Sequence, residues 1–234
     1  MSKILSNHRM NEDFYLMRAE HQNDARPGQF YMLRAWGREP VLSRPISVFD
    51  ADGDTVSFLY KVVGRGSAIF ASLSADDEIT LQGPLGNGFP NVTGKVAMVG
   101  GGVGIAPFYL AGKRLKASGV QVSIYLGFSG EPVLVSEYER AAGELVVKVG
   151  GFITDSVEPS DYDSIFACGP EVMMRSLYKK CKERGAADNL FVSMENRMAC
   201  GVGACLVCSC KTADGNKKVC KDGPVFKGEA VFGL

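Results

Sequence analysis

The chain has 234 residues, 46% of them hydrophobic and 22% charged, with 26 basic against 26 acidic side chains and a formal net charge of zero. That length suffices for one large or two ordinary domains, each with a real hydrophobic core. Balanced charge without a basic block excludes the electrostatic footprint that a nucleic-acid or anionic-membrane partner selects.

The N-terminus, Met1 to His8, is polar and lacks the apolar run of a signal peptide. Nothing later approaches the roughly 18 apolar residues of a membrane span. The expectation is a cytoplasmic protein. Its seven cysteines would stay reduced there, so a tight group of them points to metal or redox work before disulfides.

In chain order, residues 1–92 read as short strands broken by turns: Phe14 to Met17, Phe30 to Leu33, Ile46 to Phe49, Val56 to Val63 and Ile79 to Leu81, with Asp52-Gly53-Asp54 as a hairpin turn. This spacing predicts a small antiparallel β-barrel. Within it, Arg44-Pro45-Ile46-Ser47 enters a strand, and Gly64-Arg65-Gly66-Ser67 precedes a segment, Ala68 to Leu73, that can be helical. An arginine can neutralise a phosphate, a serine hydroxyl can hydrogen-bond a ring edge, and a Gly-Ser pair at a helix start can receive a pyrophosphate. Taken singly, these are also ordinary turn, cap and surface residues.

Residues 93–193 change pattern. Val96 to Val99 reads as a buried strand, followed by a Gly-rich turn and a helix that Gly119 ends. Val122 to Leu126, Leu145 to Val149 and Ser164 to Ala167 are further strands, with helices over Val135 to Ala142 and Glu171 to Arg184. Alternating strands and helices predict a doubly wound parallel sheet. The turn Gly100-Gly101-Gly102-Val103-Gly104-Ile105-Ala106-Pro107 stands where a strand opens into a helix, so Gly101, Gly102 and Gly104 can let the backbone approach a dinucleotide pyrophosphate. Cys168-Gly169-Pro170 ends another parallel strand, and Cys168 is either a nicotinamide contact or a buried core cysteine. After Leu126 no basic residue is present to meet a 2′-phosphate, while Glu131 would repel one. NAD is expected over NADP.

Residues 194–234 lose periodicity, and a tail this short and glycine-rich needs a staple. Cys200, Cys205, Cys208 and Cys220 stand as C-x4-C-x2-C-x11-C, the order of spacings that plant-type ferredoxins use for a [2Fe–2S] cluster. Structural zinc also takes four thiolates, but usually from two short knuckles, and here there is one. Cys210 reads as a spare thiol beside the site, and Cys181 as a small hydrophobe on the face of Met174 and Leu177.

The succession R-P-I-S, G-R-G-S, G-G-G-V-G-I-A-P and C-G-P resembles the ferredoxin–NADP reductase superfamily. The segment Met194 to Cys205, M-E-N-R-M-A-C-G-V-G-A-C, with Val219 to Phe226 after it, is similar to one branch, the electron-transfer subunits of NAD-dependent dihydroorotate dehydrogenase. The resemblance covers essentially the whole chain. It implies an antiparallel FAD-binding β-barrel, a doubly wound nicotinamide domain and a small C-terminal [2Fe–2S] subdomain. It further implies that Arg44, Pro45, Ile46, Ser47, Leu59, Tyr60, Lys61, Gly66 and Ser67 contact FAD, and that the four spaced cysteines hold the cluster. The partner it implies is an FMN-containing dihydroorotate dehydrogenase catalytic subunit, two of each chain forming a heterotetramer, with electrons passing through cluster and FAD to NAD+ in pyrimidine biosynthesis. No paired carboxylate or nucleophile–base pair is evident, so chemistry on orotate is expected on that partner, against exposed apolar residues such as Met198 and Val202. The rivals are the small subunit of another NADH-linked flavoprotein complex and a zinc-stapled nucleotide-binding regulatory module.

Overall fold

A computed structural model describes residues 1–234. Strands β1 (Ser2–Arg9), β2 (Phe14–Glu20), β3 (Phe30–Arg34), β4 (Arg44–Ser47), β5 (Asp50–Ala51), β6 (Thr55–Lys61) and β7 (Glu78–Leu85) form one antiparallel sheet in the order β4-β3-β7-β1-β2-β6-β5. The sheet curls until β4 lies against β6. Alternation along β6 sends Val56, Phe58 and Tyr60 into the barrel core with Ile4, Met17 and Tyr31, as the period of two requires. Helix α1 (Arg65–Ala71) buries Phe70 in the same core.

The second unit holds β8 (Lys95–Gly101), α2 (Ala106–Ala117), β9 (Gln121–Phe128), α3 (Val135–Ala141), β10 (Glu144–Val149), β11 (Ser164–Cys168), α4 (Glu171–Glu183) and β12 (Leu190–Ser193). Its strands run parallel in the order β10-β9-β8-β11-β12. The order reverses between β8 and β11, which makes the carboxyl ends of these two strands the switch point of the sheet. In α4 the buried residues Met174, Leu177, Tyr178 and Cys181 recur at helical spacing, with Glu171 in the first turn and Lys180 and Lys182 in the last, each charge matching the dipole end beside it. Gly119 ends α2 with φ +81°.

The tail contributes β13 (Ser209–Thr212), β14 (Gly215–Lys218), α5 (Val219–Asp222), β15 (Val225–Lys227) and α6 (Gly228–Phe232). Here the structure corrects the sequence reading. The tail joins a large core: β15 adds to the sheet antiparallel to β12, and Met194, Met198, Cys208, Val219, Val231 and Phe232 share one apolar cluster with Phe30 and Met32 of the barrel and Val99 of the second unit. Short strands with few apolar residues carry little signal by themselves; burial comes from what they pack on. The same reason hides β1, whose sequence is polar but which pairs with both β2 and β7. The strand expected at Ile46 to Phe49 lies two residues earlier, over Arg44–Ser47. No helix is long and apolar enough to cross a membrane.

Helix α6 presses the Phe232 ring between Tyr178, 6.0 Å away centre to centre, and the Arg175 guanidinium, 4.9 Å above it. Phe232 is 6% exposed. Truncating such a ring leaves a cavity that costs about 3 kcal/mol. Phe232→Ala is therefore expected to lower stability by about that amount in urea unfolding, and an unchanged midpoint would show that α6 is not docked.

Candidate functional site

Three chain segments converge on a cleft of about 380 Å³, within the range of small-molecule sites. The barrel supplies Pro45, Ile46 and Ser47 from β4 and Leu59, Tyr60 and Lys61 from β6. The second unit supplies Val103 and Ala106 from its glycine turn, and the connector from β12 supplies Ser193 to Met198. Pro224 completes the wall, held by the barrel: the Asn87 N–H donates to the Gly223 carbonyl at 2.6 Å, and a Cβ on Gly86 would meet Pro224 Cδ at 2.6 Å.

The side chains in this cleft divide by role. Leu59 and Tyr60 are buried, and Tyr60 turns its hydroxyl away to Asn7 at 3.0 Å, where burial raises its pKa. Lys61 pairs with Asp13 at 2.8 Å. Ser47 is partly exposed on the cleft wall. An apolar slot edged by a hydroxyl and a cation suits a flat heteroaromatic ring with hydrogen-bonding edges, so the residues present fit a flavin.

Around the mouth the structure redraws two expectations. The Ser67 hydroxyl is engaged within its own turn: it donates to the Gly64 carbonyl at 3.0 Å and accepts from the Val63 and Gly64 N–H groups at 2.9 and 3.2 Å, so the N3 side chain reaches back to the N-cap N–H at the start of α1. Gly66 is required by Arg44, since a Cβ there would stand 2.6 Å from the arginine Nε. Arg44 lies over Trp36 at 5.5 Å, also donates to the Leu42 carbonyl, and has no carboxylate partner. That leaves its charge available to an anion.

At the switch point, the two glycine-bearing loops touch backbone to backbone. A Cβ on Gly104 would stand 2.4 Å from Gly169 Cα, and one on Gly169 would stand 2.7 Å from the Gly101 carbonyl oxygen. Gly101 also abuts Met173 and Pro170. Gly102, with φ +56°, lines a second cleft of about 240 Å³ with Asn11 to Phe14, Lys61 and Phe128 to Glu131. This cleft is acidic, through Glu12, Asp13 and Glu131, and Lys61 is its one cation. Between the two readings left open for Cys168, the structure places the thiol in the core, fully buried, where burial pushes its pKa up; Gly169 and Pro170 carry the exposed part of that turn.

The cysteine loop packs on the barrel, where a Cβ on Gly201 would meet Met32 Cγ at 2.8 Å and Leu85 Cδ1 at 3.0 Å. Among the four spaced thiols, Cys205 neighbours Cys200 and Cys208 neighbours Cys220, with Cys200 also acting on Cys220, a grouping that suits a two-iron cluster taking two protein sulfurs per iron. Backbone N–H groups point at sulfur: Val202 to Cys200 at 3.5 Å, Gly203 to Cys220 at 3.1 Å and Cys220 to Cys208 at 3.4 Å. The N–H groups of Cys205 and Val202 pull the Cys200 thiol down to about 6, while burial and the neighbouring Cys208 push Cys220 up to about 12. Cys210 is buried on β13, with only the Lys211 carbonyl in reach of its thiol at 3.6 Å. Met198, expected at the surface, is buried, and Val202 is 52% exposed.

Sequence reasoning missed the connector as part of the first cleft. Glu195, Asn196 and Arg197 were read only as the approach to the first cysteine. The available signal is a run with charges two residues apart and methionines at both ends.

Comparison with known proteins follows the same lines. Residues 195–232 match a family model described as the iron–sulfur cluster binding domain of dihydroorotate dehydrogenase B. The electron transfer subunit of dihydroorotate dehydrogenase B (NAD+) from Clostridium acetobutylicum is 44% identical over 99% of this chain and 96% of its own length. Its counterpart from Clostridium perfringens is 40% identical over 98% and 96%. Among solved structures, a chain of an NADH-dependent reduced ferredoxin–NADP oxidoreductase, studied for flavin-based electron bifurcation, superposes with a TM-score of 0.88 at 30% identity, covering 99% of this chain and 89% of that one. A ferredoxin–NADP+ reductase from Neisseria gonorrhoeae shares the fold, with a TM-score of 0.65 at 18% identity over 79% of this chain and 90% of that one.

The paired thiols and their N–H donors generate a direct expectation. Serine at Cys200, Cys205, Cys208 or Cys220 abolishes a stable cluster, read as iron and acid-labile sulfide per chain, whereas Cys210→Ser keeps the full content. A complete cluster in Cys205→Ser, or its loss in Cys210→Ser, overturns the ligand set.

Proposed function

The chain belongs to the electron-transfer subunits of dihydroorotate dehydrogenase B (NAD+), and from that premise we propose how its residues divide the work. The subunit relays electrons between a catalytic dihydroorotate dehydrogenase partner and NAD+ by way of FAD and a [2Fe–2S] cluster, in pyrimidine biosynthesis. FAD supplies the step between the two-electron chemistry of a nicotinamide and the one-electron chemistry of a cluster.

The observation that carries this reading is one continuous run of chain. Residues 193–198 line the flavin cleft, and Cys200 follows two residues later. Pro45, Ile46, Leu59 and Tyr60 wall the ring from water, Ser47 and Lys61 hold its edge, and Arg44 meets the pyrophosphate. Gly66 admits Arg44, and Ser67 holds the α1 turn in shape. Gly101, Gly102 and Gly104 with Gly169 and Pro170 form the floor on which NAD(H) lies, and Cys168 supports that floor from within the core. Cys200, Cys205, Cys208 and Cys220 hold the cluster on the barrel side. The working units are 1–92, 93–193 and 194–234.

Orotate chemistry falls to the partner, which in this reading carries FMN and pairs with this chain two to two in the cytoplasm. Cys205 is exposed, and beside it Val202, Leu206 and Val207 are 52%, 61% and 53% exposed. An apolar rim around the outermost ligand is the composition of an interface core, and it fits the catalytic subunit. The acidic second cleft disfavours a 2′-phosphate.

Two measurements follow. NADH is expected to bleach the bound flavin in stopped flow at least tenfold faster than NADPH at equal concentration, and equal rates would mean that Glu12, Asp13 and Glu131 do not face the ribose. Alone, the chain is expected to oxidise NADH with a dye but not dihydroorotate, and Val202→Glu to lower dihydroorotate-to-NAD+ turnover of the reconstituted complex severalfold while sparing the dye reaction. Equal loss of both activities with the cluster intact would remove Val202 from the interface.

A further inference from the structure

The connector from β12 puts two opposite charges on the wall of the flavin cleft, Glu195 and Arg197. They do not pair with each other, and the ion pairs of the chain all lie elsewhere. Their backbone is pinned on both sides. The Met194 N–H donates to the Pro224 carbonyl at 2.9 Å, Asn196 donates to the Ser209 carbonyl at 3.0 Å, and Met194 and Met198 are buried. Glu195 is open to solvent at the mouth, yet the protein packed around it raises its carboxyl. A charge brought beside apolar walls without a counter-charge is costly unless a ligand provides one.

Only two cations line the cleft, Lys61 and Arg197. Lys61 already has a carboxylate partner in Asp13 at 2.8 Å, which leaves Arg197 as the lining cation without one. A flavin bound here would, on accepting a hydride (two electrons and one proton) from NADH with release of NAD+, carry one more negative charge on its pyrimidine edge. Charge near that edge is a lever by which a protein tunes a flavin, and Arg197 stands exposed at the mouth of the cleft.

Resting on the flavin-cleft reading above, we propose that Arg197 meets the negative charge of the reduced flavin and raises its midpoint potential, with Glu195 opposing it. Arg197 is then a determinant of how far the relay runs toward NAD+, in addition to the residues that hold the ring.

The test is a spectroelectrochemical titration of the FAD- and cluster-loaded chain, following flavin and cluster bands separately. Arg197→Gln is expected to shift the flavin reduction equilibrium at least tenfold toward the oxidised form, about 30 mV for a two-electron couple. Arg197→Lys is expected to stay within threefold of the native chain, Glu195→Gln to move in the opposite direction, and the cluster potential to hold in all three. An unmoved flavin potential in Arg197→Gln overturns the proposal, as does an equal shift in the Gln and Lys variants, which would assign the effect to shape. If Arg197→Gln retains no FAD, the Lys and Glu195→Gln variants decide: a Lys variant displaced beyond threefold, or a Glu195→Gln potential that fails to rise, sinks it. A native chain without affinity for FAD would sink the reading of the cleft itself, whereas bound FAD with unmoved potentials sinks the charge assignment alone.

Discussion

Everything distinctive in this structure depends on three residue pairs in one edge ladder, Phe191 with Lys227, Val192 with Phe226 and Ser193 with Val225. They fasten the end of the tail antiparallel to the last parallel strand. Because β12 ends at Ser193 and the chain returns to the same residues at Val225, everything between must loop out and back within reach of that edge. The connector, the cysteine loop and Pro224 are thereby brought to the mouth of the cleft. A tail tethered at one end only would pay the full conformational entropy of ordering that loop, which few local contacts could offset.

The second constraint is steric. At the switch point of the sheet, the loops after β8 and β11 approach so closely that Gly104 and Gly169 leave no room for side chains. The contact joins the glycine turn to the Cys168-Gly169-Pro170 turn as one surface. It also gives those glycines a packing role besides the usual one of letting phosphate approach. The cysteine loop repeats this logic on the barrel: Gly201 and Gly203, at φ +73° and +83°, let the backbone fold back over Met32 and Leu85 and turn N–H groups toward sulfur.

Electrostatics then distinguishes the three sites. Around the cysteines, backbone dipoles from a close-wound loop favour negative sulfur. In the second cleft three carboxylates face one cation, which discriminates between ligands more than it attracts them. In the first cleft the walls are largely apolar and the charges few. This graded arrangement lets one small chain hold anionic sulfur, a dinucleotide and a flavin within a continuous fold while its net charge stays at zero.

The sequence by itself determined five barrel strands (β2, β3, β4, β6 and β7), the parallel strands β8 to β11, the helices α2 to α4 and the cysteine spacing. Their signals are local: period two in Val56 to Tyr60, period 3.6 in Met174 to Cys181, and thiols at fixed separations. Family resemblance named Pro45 to Ser47 and Leu59 to Lys61, which the structure brings to one cleft. What only the tertiary structure decided is non-local. The inward turn of the Ser67 hydroxyl, the burial of Met198 and Cys168, the polar strand β1 and the place of Glu195 and Arg197 each depend on what packs against them from a distant segment. Burial and hydrogen-bond partnership are properties of pairs, and a pair such as Met32 with Gly201, or Gly104 with Gly169, leaves no trace in either residue's own neighbourhood of the chain.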